Sequence, residues 1–396
     1  MDYKFKRIFM IVTDSLGIGP DKKQKSFGDE GANTLFHVSE TGLLDIPTWK
    51  KMGITSIANI KNPGKIKNQI AYTARVQELS NGKDTLTGHW EMMGIYTEHP
   101  FPTFTDTGFP PELIQLLEQK FDGRKIIGNC SASGTDIINK LADQEINENK
   151  IIVYTSGDSV LQICGHEKHM GLDNLYRYAQ EARKICSSKP EWNVGRIIAR
   201  PYVGEDGKYT RTFNRHDYSV KPEEDTILDK LQKKGIKVIA VGKINDIFSG
   251  QGISQHYPSE GDANGMDITI DLALENTTNE FIFVNLVQFD SHYGHRRDVE
   301  GYAENINLFD IKLAKLINAL KEDDLLIITS DHGNDPSFKG YNHTREMLPA
   351  TIYSKSFKKP KKLNDFQGLG TLGNIIARNF GLDLVQTGED RFDELI

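Results

Sequence analysis

A chain of 396 residues is too long for one small core and calls for two domains. An apolar content of 38% with 26% charged residues excludes a disordered protein, and a net charge of −7 argues against a nucleic-acid partner, because phosphate backbones are bound by clustered Lys and Arg. The 3 cysteines, Cys130, Cys164 and Cys186, form no C-x-x-C pair, and their odd number argues against a disulfide framework, so a reducing cytosol fits and the three are expected to pack as small apolar residues.

The N-terminal MDYKFKRIFMIVTDSLG has an apolar run of about five residues, against roughly 7–15 for the hydrophobic part of a signal peptide, and Asp14 ends it. No stretch approaches the ~20 apolar residues of a membrane span, so a cytoplasmic protein with no membrane partner is expected. Arg7 to Val12 reads as a buried parallel strand that opens into a loop at Asp14 and Gly17. In GKDTLTGHWEMMG, Gly82 to Gly94, a helix through His89–Met93 is expected, with Thr85 or Thr87 as its N-cap.

Between Thr103 and Asp217 the signals change. They give a helix at Pro110–Phe121, strands at Lys125–Ile127 and Ile151–Thr155, a helix near Asn174–Cys186 and a strand at Arg196–Ala199. The Gly- and Pro-marked segments EHPFPTF and NRHDYSVKPEED flank this region. An inserted domain over 103–217 is therefore expected, with 1–102 and 218–396 forming the other domain.

Beyond it, EEDTILDKLQKK (Glu223 to Lys234) places acids first and lysines last, which suits a helix dipole. A strand at Ile236–Val241, a helix at Asp262–Glu275, a strand at Phe281–Val287, a helix at Tyr302–Leu320 and a strand at Leu325–Thr329 follow. GLGTLGNIIARNFGL reads as a last amphipathic helix. Strands alternating with helices imply an α/β fold, an open, doubly wound and mainly parallel sheet, with a smaller inserted α/β domain.

Such sheets put ligands at the carboxyl ends of their strands. Asp14, Asp290 and Asp331 each fall just past such an end. VQFDSHYGHRRD sets Asp290 and His295 about a turn that Gly294 allows to be tight, and TSDHGNDPSFKGYNHTRE carries Asp331, His332 and His343. Each alone fits a polar loop after a strand. Together they offer three carboxylates and three imidazoles, a mixed donor set that suits manganese or zinc and would serve two ions. Two ions about 4 Å apart are a common device for phosphoryl transfer, because they stabilise attacking and leaving oxygens. Thr85 and Thr87 supply hydroxyls that a metal could activate, and a helix N-terminus there would favour a phosphate. Gly17-Ile18-Gly19 follows a strand, but Lys22 stands where a dinucleotide fingerprint needs its third glycine, and no Walker-type loop is present.

Asp14 at the end of the first strand, K-D-T-x-T-G-H-W-E (Lys83 to Glu91), D-x-x-x-G-H-R-R-D (Asp290 to Asp298) and D-H-G-N-D…H-T-R-E (Asp331 to Glu346) together resemble the phosphopentomutase family of the alkaline phosphatase superfamily. D-H-G-N marks only the superfamily; K-D-T-x-T-G-H-W-E is far more specific. The resemblance implies an alkaline-phosphatase-like core with an inserted substrate-binding cap. It implies that Thr85 is the nucleophile that becomes phosphorylated. Asp14, Asp331 and His332 would hold one Mn2+ shared with Thr85, and Asp290, His295 and His343 a second. A sugar bisphosphate activator, glucose 1,6-bisphosphate or ribose 1,5-bisphosphate, would load Thr85.

The segment GRIIARPYVGEDGKYTRTFNRHD is rich in cations: Arg196, Arg200, Lys208, Arg211 and Arg215. Arginine can grip a phosphate dianion with two parallel bonds. By the resemblance, Arg196, Arg211 and Lys243 take the sugar phosphate and Asp158 the sugar hydroxyls. The implied activity interconverts α-D-ribose 1-phosphate and D-ribose 5-phosphate, with the 2-deoxy sugars. The implied partners are small sugar phosphates, and no obligate protein partner is evident. A phosphatase or phosphodiesterase of the superfamily, a phosphoglycerate mutase (which uses Ser where this chain has Thr85) and a metal-bound sensor without turnover are the competing readings.

Overall fold

The computed structural model describes residues 3–64, 68–205 and 207–396. These form two compact units, one of residues up to Glu98 together with Pro222–Ile396, the other of His99–Lys221. The strands are β1 (Arg7–Thr13), β2 (Tyr72–Gln77), β3 (Ile126–Ser131), β4 (Ile151–Thr155), β5 (Val160–His166), β6 (Arg196–Glu205), β7 (Lys208–Arg211), β8 (His216–Ser219), β9 (Lys237–Val241), β10 (Gln255–Tyr257), β11 (Glu280–Leu286), β12 (Asp324–Thr329), β13 (Leu348–Tyr353) and β14 (Phe366–Gln367).

The first unit is built on an eight-stranded sheet in the order β10-β9-β11-β1-β12-β13-β2-β14. From β10 to β12 all pairs are parallel, while β13 runs antiparallel to both β12 and β2. β1, β11 and β12 are buried along their whole length, as continuous apolar runs covered on both faces must be. Side chains alternate between the faces. Phe9, Ile11, Ile282, Val284, Leu326 and Ile328 join one core with Met266, Phe309 and Leu313 of the helices Asp262–Leu274 and Val299–Ala319. Phe283 points the other way, where its ring meets His89 of the helix Thr85–Met92. The α/β class and the mainly parallel sheet expected from the alternating pattern are the ones the chain adopts.

Register decides where the site falls. Thr13 lies opposite Leu286, and Val12 lies opposite Thr329. The three central strands therefore end level, and Asp14, the turn carrying Asp290 and Asp331 leave the sheet at one edge. At the other edge the buried Arg7 closes the strand starts, with Nη2 2.7 Å from Asp324 Oδ2 and further bonds to the carbonyls of Leu272, Ala273 and Glu275.

Two helices differ from their sequence pattern. The helix expected from Glu223 spans Ile227–Lys233, because Thr226 and Asp229 form a capping box that sets the start. The helix expected from Tyr302 begins at Val299, where the Asp298 side chain caps it. The last helix, expected in GLGTLGNIIARNFGL, spans Gly370–Phe380 and is buried at every position except Arg378. No helix among the described residues is long and apolar enough to cross a membrane.

The second unit has a mixed sheet, β3-β4-β5-β6-β7, with β8 also on β6. β6 is longer than its apolar start suggests: Arg196–Ala199 pairs with β8 and Tyr202–Glu205 with β7. The helix Gly134–Asn147 and strands β5, β7 and β8 are not among the expected elements, although Ile137, Ile138, Leu141, Ala142 and Ile146 recur at helical spacing. Val153, Ile163 and Ile197 face one apolar core with Leu113, Phe121 and Tyr178; Ile152, Tyr154 and Cys164 face another with Ile137 and Tyr202. Cys164 and Cys186 pack in these cores, and burial pushes each thiol up to about 12. Cys130 does not pack as expected: it sits near the exposed end of β3.

Candidate active site

Asp14, Asp331 and His332 are buried, and ligand atoms of all three lie within 4.8 Å of one another. One oxygen of each carboxylate is already used. Asn285 Nδ2 donates to Asp14 Oδ2 at 2.9 Å, and the Ser15 and His332 amides donate to Asp331 Oδ1, both at 3.1 Å. The other two, Asp14 Oδ1 and Asp331 Oδ2, have no hydrogen-bond partner and lie 3.4 and 3.5 Å from His332 Nε2. His332 Nδ1 is 3.0 Å from the Gly333 carbonyl, which can only accept, so Nδ1 carries a proton and Nε2 faces the carboxylates.

Asp290 leaves β11 through a single wide turn, Phe289–Gly294, that turns its carboxylate inward. Its oxygens lie 3.1 Å from His295 Nε2 and 3.4 Å from His343 Nε2. The Nδ1 atoms of these histidines meet the carbonyls of Tyr341 and Lys83 at 3.2 and 3.0 Å. Nδ1 of each ring thus carries a proton, and the two Nε2 atoms face Asp290 and each other, 3.1 Å apart. The His332 and His343 rings stack at 3.9 Å, so the two groups adjoin.

Two orphaned carboxylate oxygens and two opposed imidazole nitrogens, all buried or nearly so, are what cation sites need. The charges agree. Burial and the Asp331 charge push Asp14 up to about 6. Burial works against ionisation of Asp290 and Asp331 as well, but His295 and His343 hold the first well below the usual carboxylate range, and His332 and His89 hold the second near 2. Burial would lower His332, yet Asp331, Asp14 and Asp290 outweigh it and keep the imidazole well above its usual value. The cluster is negative enough to trap a proton, and the same excess would bind divalent ions in its place. The oxygen and nitrogen donor set fits them.

Thr85 is the first residue of the helix Thr85–Met92. The cap is Asp84, not either threonine as the sequence suggested. Its carboxylate accepts from the Thr87 amide at 3.1 Å and the Thr87 hydroxyl at 2.6 Å. That engages Thr87 and leaves Thr85 Oγ1 directed at the cluster, 3.2 Å from His332 Nε2. Gly88 is what lets the helix come so near: a Cβ there would overlap the Asp331 carbonyl.

Several supporting residues escaped the sequence reading. His89 Nδ1 lies 2.8 Å from the Thr85 carbonyl and 3.2 Å from Asp331 Oδ2, and Asn285 reaches both His89 and Asp14. Asn334 donates to Asp290 at 2.7 Å and accepts from Arg297 at 2.6 Å. Arg297 also donates to the carbonyls of Gly294, Asp335, Gly340 and Asn342, from a backbone held at φ +57°. The signals were present. Asn285 is a polar residue inside an apolar strand, and His89 and Arg297 lie within the quoted motifs.

Lys243 is half-buried just past β9 in the first unit, close enough for its charge, after burial and with Arg296, to lower His292. In the second unit Arg196 Nη2 lies 3.1 Å from Asp158 Oδ2, so these two expected substrate residues meet. Arg211 stands opposite Tyr202 on β7, outside that pair. Arg200 donates to Gln162, and Arg215 pairs with Asp217 at 2.6 Å.

A mainly parallel α/β sheet with two buried carboxylate and imidazole groups at its strand ends defines a metal-dependent enzyme, and a family model described as the Metalloenzyme superfamily matches residues 6–384, so the chain belongs to that superfamily. The chain is 60% identical over 392 residues to the phosphopentomutase of Mycoplasmopsis pulmonis, covering 99% of each protein. It is 49% identical over 385 residues to that of Clostridium tetani, covering 96% of each, and 47% identical over 397 residues to that of Clostridium beijerinckii, covering 99% and 100%. It belongs to the phosphopentomutase family, and so to the isomerases.

Proposed function

We propose that this chain interconverts α-D-ribose 1-phosphate and D-ribose 5-phosphate, and the 2-deoxy equivalents, through phosphorylated Thr85 and a sugar bisphosphate. The observation that carries this reading is the placement of Thr85 Oγ1 at the start of a helix, 3.2 Å from His332 Nε2. Asp14, Asp331 and His332, with Thr85, would hold one Mn2+; Asp290, His295 and His343 would hold the other. When bound, the two ions neutralise charge on a transferring phosphoryl group and lower the pKa of a coordinated hydroxyl.

The chain's own residues do the rest. The phosphoryl on Thr85 passes to the free hydroxyl of a bound sugar monophosphate: the new O–P bond forms as the Thr85 O–P bond breaks, and the proton of the sugar hydroxyl ends on the Thr85 oxygen, which becomes a hydroxyl again. The resulting bisphosphate then returns its other phosphoryl to Thr85. The N-terminal end of the helix Thr85–Met92 favours a phosphate dianion on Thr85. Asp84 keeps the Thr87 hydroxyl engaged, so one hydroxyl is offered rather than two. Arg196, Arg211 and Lys243 hold the sugar phosphate and Asp158 its hydroxyls, and the Asp158–Arg196 pair supports this by keeping both side chains ordered between substrates. Glucose 1,6-bisphosphate or ribose 1,5-bisphosphate loads Thr85, and the protein works in the cytoplasm on small sugar phosphates.

The test is to supply ribose 1-phosphate with manganese and follow ribose 5-phosphate and inorganic phosphate together, with and without bisphosphate. Primer-stimulated ribose 5-phosphate with little phosphate release is expected. Phosphate as the main product would replace this reading with a phosphatase.

A further inference from the structure

We infer that Arg345 is a positioning residue for the nucleophile: its buried guanidinium fixes the loop from Glu78 to Gly82 and thereby sets where Thr85 sits. This rests on the reading of Thr85 as the phosphoryl carrier.

The chain from Glu78 to Asp84 joins β2 to the helix Thr85–Met92 and has no regular structure of its own. Side chains from elsewhere hold it. Arg345 donates to the carbonyls of Glu78, Ser80 and Gly82, the last two at 2.9 and 2.6 Å. Its Nη1 also lies 2.9 Å from Glu78 Oε2. From the other side the buried Glu91 carboxylate accepts from the Leu79 and Ser80 amides, at 2.9 and 2.6 Å. Two residues before Arg345, His343 meets the Lys83 carbonyl, and the Arg345 amide donates to Asp29, the ion-pair partner of Lys83. One three-residue segment, His343 to Arg345, thus supplies a proposed metal ligand and the clamp on the nucleophile's loop.

A buried guanidinium is a poor choice for stability alone, since a well-packed apolar side chain of similar volume often does as well or better. What an apolar residue cannot supply is direction. Arg345 reaches three carbonyls from one planar fork, which a lysine ammonium cannot reproduce. The same atoms that burial makes costly are those aimed at the backbone leading to Thr85.

The test compares wild type with Arg345→Lys and with the charge-neutral pair Arg345→Met and Glu78→Gln, each first shown to be folded by circular dichroism. Expected is a fall in kcat of about a hundredfold, the scale of an ångström's misplacement, with KM for ribose 5-phosphate within about twofold. Amide exchange over 78–84 should quicken while manganese affinity stays unchanged. Wild-type kcat and exchange in a folded variant would overturn the inference. So would a change confined to KM or to manganese affinity. A wild-type enzyme that makes no ribose 5-phosphate would sink the mutase reading instead, and the exchange measurement would still decide whether Arg345 fixes the loop.

Discussion

Burial acts on every acid of the site, but what faces each acid decides the outcome. Imidazoles face Asp290 and Asp331, which stay ionised. Asp262 has no such partner: it accepts from the Gln288 amide and Asn305, and burial pushes it up to about 6 from an ordinary 3.8. A raised acid binds its proton more tightly folded than unfolded, so stability falls as pH rises from about 4 to about 6 and is flat above. Asp262→Asn should therefore gain on wild type by up to about 3 kcal/mol across that window, and by nothing more at higher pH. Urea unfolding of both proteins at several pH values checks it; parallel profiles would refute it. Asn334 is argued differently, because it orients Asp290. Asn334→Ala should weaken one of two manganese sites by about 10–100-fold, read by titration calorimetry, and leave the other unchanged. The six candidate ligands could be singled out in the sequence because their type and their position past a strand coincide. Asn334, Arg297 and Arg345 lie inside the quoted motifs, but their roles could not be read there, because each works through partners that only the fold brings near.

At the scale of elements, the helix Thr85–Met92 is too short to persist on propensity and depends on its cap and its packing. Gly88→Ala sets two effects against each other. Alanine favours a helix over glycine by about 1 kcal/mol, but its methyl would overlap the Asp331 carbonyl. Backbone cannot yield as a flexible side chain can, so overpacking should win, at a net cost of about 1–3 kcal/mol. Thermal unfolding should show the loss, and manganese affinity should fall with it as Asp331 moves. A more stable variant with intact affinity would mean that the helix has room to shift. The same balance explains which elements the sequence revealed. β1, β11 and β12 are buried on both faces and stand out as apolar runs, within a residue of their observed ends. Helix starts were misplaced by three or four residues where a cap, Thr226 or Asp298, set them rather than periodicity. β7 and β8 are short and largely exposed, so neither run length nor alternation marks them.

At the scale of the whole molecule, each unit buries a core of its own. Among the described residues, the apolar clusters of His99–Lys221 are made of that unit's own side chains, and the large cluster under the eight-stranded sheet is made of the first unit's. The Gly- and Pro-marked segments put the joints at 102/103 and 217/218, whereas the compact units divide at 98/99 and 221/222. Composition marks where a chain turns polar, not the residue at which packing changes hands. The six candidate metal ligands all lie in the first unit. A ligand stabilises only what it binds, by about 2.7 kcal/mol per site at a free concentration a hundred times Kd. For a unit of this size that is roughly 2–4 °C for each kcal/mol. Calorimetry of the full chain should therefore resolve two transitions, of which manganese raises one by about 5 °C or more. The isolated His99–Lys221 segment should unfold cooperatively at the temperature of the other and ignore the metal. A single transition that manganese moves as a whole would show that the two cores melt together, and an isolated segment with no transition would show that its own core does not suffice.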